Sequence, residues 1–146
     1  DKFIQFIKIS QQINIQNYLG SKLYDKYTLI IGNGDIDNAP FSDYKELLNE
    51  YLQPMLIWFA QVDYIPFAAY QIKNGGVFKH TSENAETVNK GEVDYLVEKA
   101  RTYAEWYSRR FIDHMTFNQS KFPEYTTNTN DDIYPSYDAT FNGWVL

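Results

Sequence analysis

Apolar residues recur three and four apart along most of this chain, the spacing that lines one face of an α-helix. From Asp1 to about Asn17, Phe6, Ile9 and Ile13 share one face, and Phe3 and Ile7 share another. The β-branched content weakens intrinsic helix propensity there, so packing must hold this first helix. Leu19-Gly20 ends it, with Gly20 suited to a left-handed cap. Ser21 reads as the N-cap of a second helix reaching about Ile31, with Leu23, Tyr27 and Ile30 or Ile31 turned inward. "GNGDIDNAP", Gly32 to Pro40, is a loop by composition. A third helix starts at Ser42 or Asp43, where Asp43 and Glu46 have capping-box spacing. Its stripe runs from Tyr44 through Leu47, Leu48, Tyr51, Leu52, Met55, Phe59 and Val62 to Ile65. Pro54 and Pro66 each remove an amide donor, which predicts a kink at the first and a break near the second.

The pattern then changes. In "AYQIKNGGVFKH", Ala69 to His80, Asn74-Gly75-Gly76 sits between short alternating stretches, which predicts a β-hairpin. A lone two-stranded hairpin is marginal in water, so it should lean on its own helices or on a neighbour. "TSENAETVNKGE" is polar and reads as an exposed loop. The fourth helix, about Gly91 to Thr116, keeps the most regular stripe: Val93, Leu96, Val97, Ala100, Tyr103, Ala104, Tyr107, Phe111, Ile112 and Met115. Pro123 reads as its stop. After Tyr125 comes a polar linker and an aromatic tail with neither helical nor strand period. The expected fold is mainly α: a small helical bundle over residues 1–125 with one β-hairpin near 70–80, then an extended C-terminal arm over 126–146.

Composition narrows the function classes. The chain has 146 residues, enough for one domain with a real core. Its net charge is −6 and its basic residues are scattered, which argues against a phosphate-gripping nucleic-acid binder. It has no cysteine, so disulfides and Cys-based metal sites are excluded. No apolar run approaches the ~20 residues that cross a bilayer, and nothing at the start resembles a signal leader. The chain opens inside what reads as a helix, which leaves room for residues upstream of Asp1. Aromatic residues make up 18%, with 13 tyrosines, a surplus typical of interfaces.

Catalytic chemistry is hard to assemble from these residues. No HExxH, GxSxG or phosphate-cradling loop occurs. His80 lies in the expected hairpin, and His114 lies near the fourth helix's C-terminus, where a cation is favoured. The carboxylate pairs Asp35/Asp37, Glu83/Glu86 and Asp131/Asp132 sit in polar loops, and a general acid needs burial to raise its pKa. Arg109-Arg110 is the only adjacent basic pair, and ion pairs with Glu105 or Asp113 on the same helix would occupy it. No enzyme, cofactor or metal site is expected.

Four stretches, in order, carry a resemblance. They are "ISQQINIQNYLGSKLYDKY", "YKELLNEYLQPMLIWFAQVDYIPFAAYQIKNGGV", "YAEWYSRRFIDHMTFNQSKFPEY" and "YPSYDATFNGWVL". Together they resemble the head-completion or head-tail connector proteins of tailed bacteriophages, in the branch found in phages and prophages of Bacteroidetes, including crAss-like phages. Asn17 stands where that family often has Pro, and the upstream part of the first helix is shorter. The resemblance implies a connector-type helical fold in a ring, typically of twelve subunits, beneath the portal in the virion neck. Such a protein is assembled in the host cytoplasm. It binds itself, the portal and an adjacent neck or tail ring, leaves a lumen through which DNA passes without specific binding, and uses no membrane. The partner-binding residues expected on this reading are Tyr134, Tyr137, Phe141 and Trp144 of the arm, and Asn74, Gly75, Gly76 and Val77 of the hairpin turn. The competing class is a cytoplasmic helical adaptor or regulatory binding module unrelated to virions.

Overall fold

A computed structural model describes residues 2–74, 89–127 and 132–139. The chain is mainly helical, and no strand occurs among the described residues. Helix α1 is built from Lys2–Ser10, a π-helical turn Gln11–Ile15, and Gln16–Leu19, following one another without a break. Gly20 then takes φ 78° and ψ 157°, a conformation open to glycine because it lacks a Cβ. That single residue turns the chain straight into α2, Ser21–Gly32. The end of α2 is a Schellman closure around Gly34 at φ 75°. The Gly34 amide donates to the Ile31 carbonyl at 3.1 Å and the Asp35 amide to Ile30 at 2.8 Å, satisfying carbonyls the helix leaves open.

Helix α3 enters through the 3₁₀ turn Ala39–Phe41 and comprises Ser42–Leu47, a π-helical turn Leu48–Leu52, and Gln53–Asn74. The expected capping box is absent: no side chain caps this start. Pro54 is accommodated by the π turn immediately before it, in which the Gln53 amide reaches back to the Leu48 carbonyl. Widening the helix there relieves the clash that a proline ring makes with the preceding turn. Pro66 does not break α3, which continues to Asn74. This also corrects the hairpin: residues 69–74, expected as its first strand, are helical. The helical spacing of Ile65, Ala68, Ala69 and Ile72 continues through them, and it outweighs the local turn signal. Gly75, Gly76, Val77 and His80 lie outside the described residues.

Helix α4, Lys90–Phe117, is capped by Asn89, whose side chain accepts from the Glu92 amide at 2.8 Å. A 3₁₀ turn, Gln119–Lys121, leads to the short helix α5, Pro123–Thr126. Pro123 starts this helix rather than serving only as a stop, consistent with proline's fit at a first helical position. The principal packing is α3 against α4, with α1 laid on the later part of α3 through Phe3 and Phe6 against Tyr64 and Phe67. The core gathers Leu19, Leu23, Leu47, Met55, Phe59, Phe111, Met115 and Phe122, all essentially inaccessible to solvent. A polar chain crosses its edge: Tyr27 donates to the Tyr44 carbonyl at 2.7 Å, and the Tyr44 hydroxyl donates to the Glu124 carboxylate. Burial raises both phenol pKa values. These bonds join α2, α3 and α5.

Candidate functional site

The aromatic tail first meets its own chain. Residues 132–139, without regular secondary structure, lie along the corner between α1 and α2, held by hydrogen bonds from both. Ser21 Oγ donates to Asp132 Oδ2 at 2.8 Å and accepts from the Ile133 amide at 3.1 Å. The Ser21 amide donates to the Ile133 carbonyl at 2.9 Å, and the Ser136 amide to the Asn17 carbonyl at 2.9 Å. The Tyr18 hydroxyl donates to the Asp138 carbonyl at 3.0 Å. Pro135 is buried, and the Tyr137 ring meets Tyr125 edge-on at 5.9 Å. Ser21 therefore does not act as the expected N-cap; Gly20 takes that position, and the Ser21 hydroxyl serves the arm.

The tether leaves much of the expected aromatic set outward. Tyr134 is 70% exposed and Tyr137 65%. Phe141 and Trp144 lie outside the described residues, as do Gly75, Gly76 and Val77 of the other expected site. Asn74 ends α3, distant in sequence from the arm.

An outward surface lies on α4, where the periodicity reading passed over Tyr95, Trp106 and Phe117 and counted Tyr103 in the inward stripe. Tyr95, Tyr103, Trp106 and Phe117 fall within an arc of about 80° at 100° per residue, and all are exposed, Trp106 by 58% and Phe117 by 86%. Cations are interleaved with them. The Lys99 ammonium lies over the Tyr95 ring at 5.6 Å. The Arg110 guanidinium lies 4.4 Å from the Tyr51 ring centroid and 6.0 Å from that of Trp106. Arg110 Nη1 also donates to the Glu50 carbonyl at 2.9 Å. That carbonyl is the one Pro54, four residues later, cannot serve with an amide. Arg110 thus answers a gap made by the proline. His114 stacks on Tyr51 at 4.2 Å. Desolvation lowers its pKa, so it is less readily a cation than the helix-end argument expects. The inward apolar stripe of α4 holds at Ala100, Ala104, Phe111 and Met115, whereas its members Leu96 and Tyr103 are exposed; the outward stripe is visible in the sequence as aromatic and basic residues on the complementary arc.

A second surface is a groove of about 570 Å³ between α1, α2 and α3. Ile15, Leu19, Tyr27, Ile31, Leu52 and Leu56 form its walls, and no α4 residue and no charged side chain lines it. Of the carboxylates considered for acid–base work, the three among the described residues have other partners. Asp37 pairs with Lys45 at 2.6 Å, Asp35 accepts from Asn38 at 3.1 Å, and Asp132 holds the arm. Glu83, Glu86 and Asp131 lie outside the described residues. Among the described residues no cluster of three or more His, Asp or Glu is arranged to hold a metal, and no helix is long and apolar enough to cross a membrane.

Comparison with known proteins gives one match. A family model described as a family of unknown function (DUF6712) matches residues 15–138. No curated protein and no solved structure matches the chain.

Proposed function

The chain belongs to the DUF6712 family of unknown function, and we propose that it is a structural virion protein, a connector-type subunit of a neck ring that joins portal and tail and leaves a channel for DNA. The observation that carries the proposal is the outward aromatic surface. Tyr134 and Tyr137 are exposed on an arm fixed to the body, and Tyr95, Tyr103, Trp106 and Phe117 are exposed on the longest uninterrupted helix. A single small domain has no need of this much solvent-facing aromatic area, whereas a ring subunit must cover surface on two lateral neighbours and on the rings above and below. The four sequence blocks that resemble phage connectors point the same way. On this reading α3 and α4 form the body, and the segment beyond Ala139, with Phe141 and Trp144, reaches the portal or an adjacent ring. The acidic balance suits a lumen that does not grip DNA phosphates.

The test is electron microscopy of the purified chain, alone and with the portal protein encoded in the same genome. Closed rings that cap the portal are expected. A chain that stays monomeric and leaves the portal uncapped overturns the proposal and favours the adaptor class.

A further inference from the structure

We propose that the aromatic stripe of α4 seats in the α1–α2–α3 groove of a second copy of this chain, as a head-to-tail contact. This inference rests on the ring reading and names the lateral contact within it.

The stripe has the composition of an interface centre. Tyr, Trp and Arg are enriched where binding energy concentrates, and here they lie along one arc from Tyr95 to Phe117. The four aromatic side chains are 43% to 86% exposed. At ~150–250 Å² for each aromatic, they leave on the order of 500 Å² open, over half of the ~800 Å² per partner that a stable contact buries.

The groove has room and apolar walls for a ring of that stripe. Its 570 Å³ falls inside the ~300–1,000 Å³ of pockets that enclose ring-sized groups. Its walls are aliphatic and aromatic, while Gln11, Thr28 and Gln53 add polar rim atoms. Uncharged apolar walls would take an aromatic knob.

The two surfaces lie on different elements, so filling one groove leaves the same copy's stripe free. A contact of a patch with an unlike pocket is heterologous, and it repeats until rotation closes a ring. Two copies paired by a two-fold axis would leave this logic unused.

The experiment is sedimentation velocity of the full chain and of two variants, one for each surface. Trp106→Glu spoils the stripe, and Ile31→Glu spoils the groove mouth, where Ile31 is 48% exposed. Both should keep the wild-type circular dichroism spectrum. Each alone should self-associate at least ~30-fold more weakly than wild type, the effect of losing a ~2 kcal/mol hot spot. Mixed in equal amounts, they should form a one-to-one dimer and nothing larger, because one intact stripe then meets one intact groove. Should either variant misfold, Phe117→Ser and Thr28→Arg probe the same two surfaces from exposed positions. Wild-type assembly that both folded variants retain, or a mixture that stays monomeric, overturns the contact while leaving the ring reading standing. A wild-type chain that remains monomeric at every concentration, with portal absent or present, overturns both.

Discussion

Ser21→Ala should loosen the arm without dissolving the bundle. The substitution deletes the hydroxyl that donates to Asp132 at 2.8 Å and accepts from the Ile133 amide at 3.1 Å, both arm bonds, and that also accepts from Gln16 Nε2 within the body at 3.2 Å. A hydrogen bond to a charged group contributes ~1.5–3 kcal/mol and a neutral one ~0.5–1.5. Both bonds here are only partly buried, so values at the low end apply and the combined loss is about 2 kcal/mol. The bonds from the Ser21 amide, the Ser136 amide and the Tyr18 hydroxyl remain. The reporter is the Ser136 amide, whose acceptor, the Asn17 carbonyl, survives the substitution. Its exchange with deuterium reads arm opening directly, and 2 kcal/mol corresponds to roughly 30-fold faster exchange. The melting temperature should drop by at most about 8 °C, at ~2–4 °C per kcal/mol for a chain near this size. Unchanged Ser136 exchange in a folded variant would refute the tether, and so would loss of all helical signal.

Two further outcomes follow from other contacts. Arg110→Ala should cost about 2 kcal/mol, combining a charge-assisted hydrogen bond and a cation–π contact, but about 1 kcal/mol less when Pro54→Ala has given residue 54 an amide of its own. Equal costs in the two backgrounds, measured by urea denaturation, would show that Arg110 does not answer the proline's missing donor. Asp63 lies half-buried on α3, and desolvation raises its pKa to about 6. Its unfolded value is ~4, so the folded state binds the proton more tightly, and the carboxylate costs stability progressively as pH rises from about 4 through 6. Asp63→Asn should therefore melt above wild type at pH 7, with the difference fading by pH 3.5; a gain independent of pH would disprove the assignment.

The helices were legible because each buries a stripe whose spacing survives in one dimension. Leu47, Met55 and Phe59 of α3, and Phe111 and Met115 of α4, were all placed inward by period and are inaccessible. The errors share a cause. Asn74-Gly75-Gly76 is a strong local turn signal, yet Ile65 to Ile72 already commit the preceding residues to a helix. Ser21 looks like a cap because serine before a helix usually is one, but its hydroxyl is claimed by a residue 111 positions away. His114 was read against its own helix end, while the ring that stacks on it belongs to α3. The arm's partner on its own body was equally hidden, since the bonding groups are mostly backbone atoms at Asn17, Ser21 and Ile133, which carry no side-chain signature.

The tether also sets a timetable for synthesis. Tyr18 and Ser21 must wait for residues that emerge 120 and 111 positions later. At ~5–20 residues per second the corner stands unclosed for on the order of ten seconds while the ribosome works. A chain released by a premature stop before Asp132 would have all of α1 to α5, yet would lack the clamp across the turn at Gly20. Its Ser21 amide and hydroxyl would lose their arm partners at a corner that is otherwise buried. The clamp therefore closes in full only on a chain synthesised at least as far as Asp138.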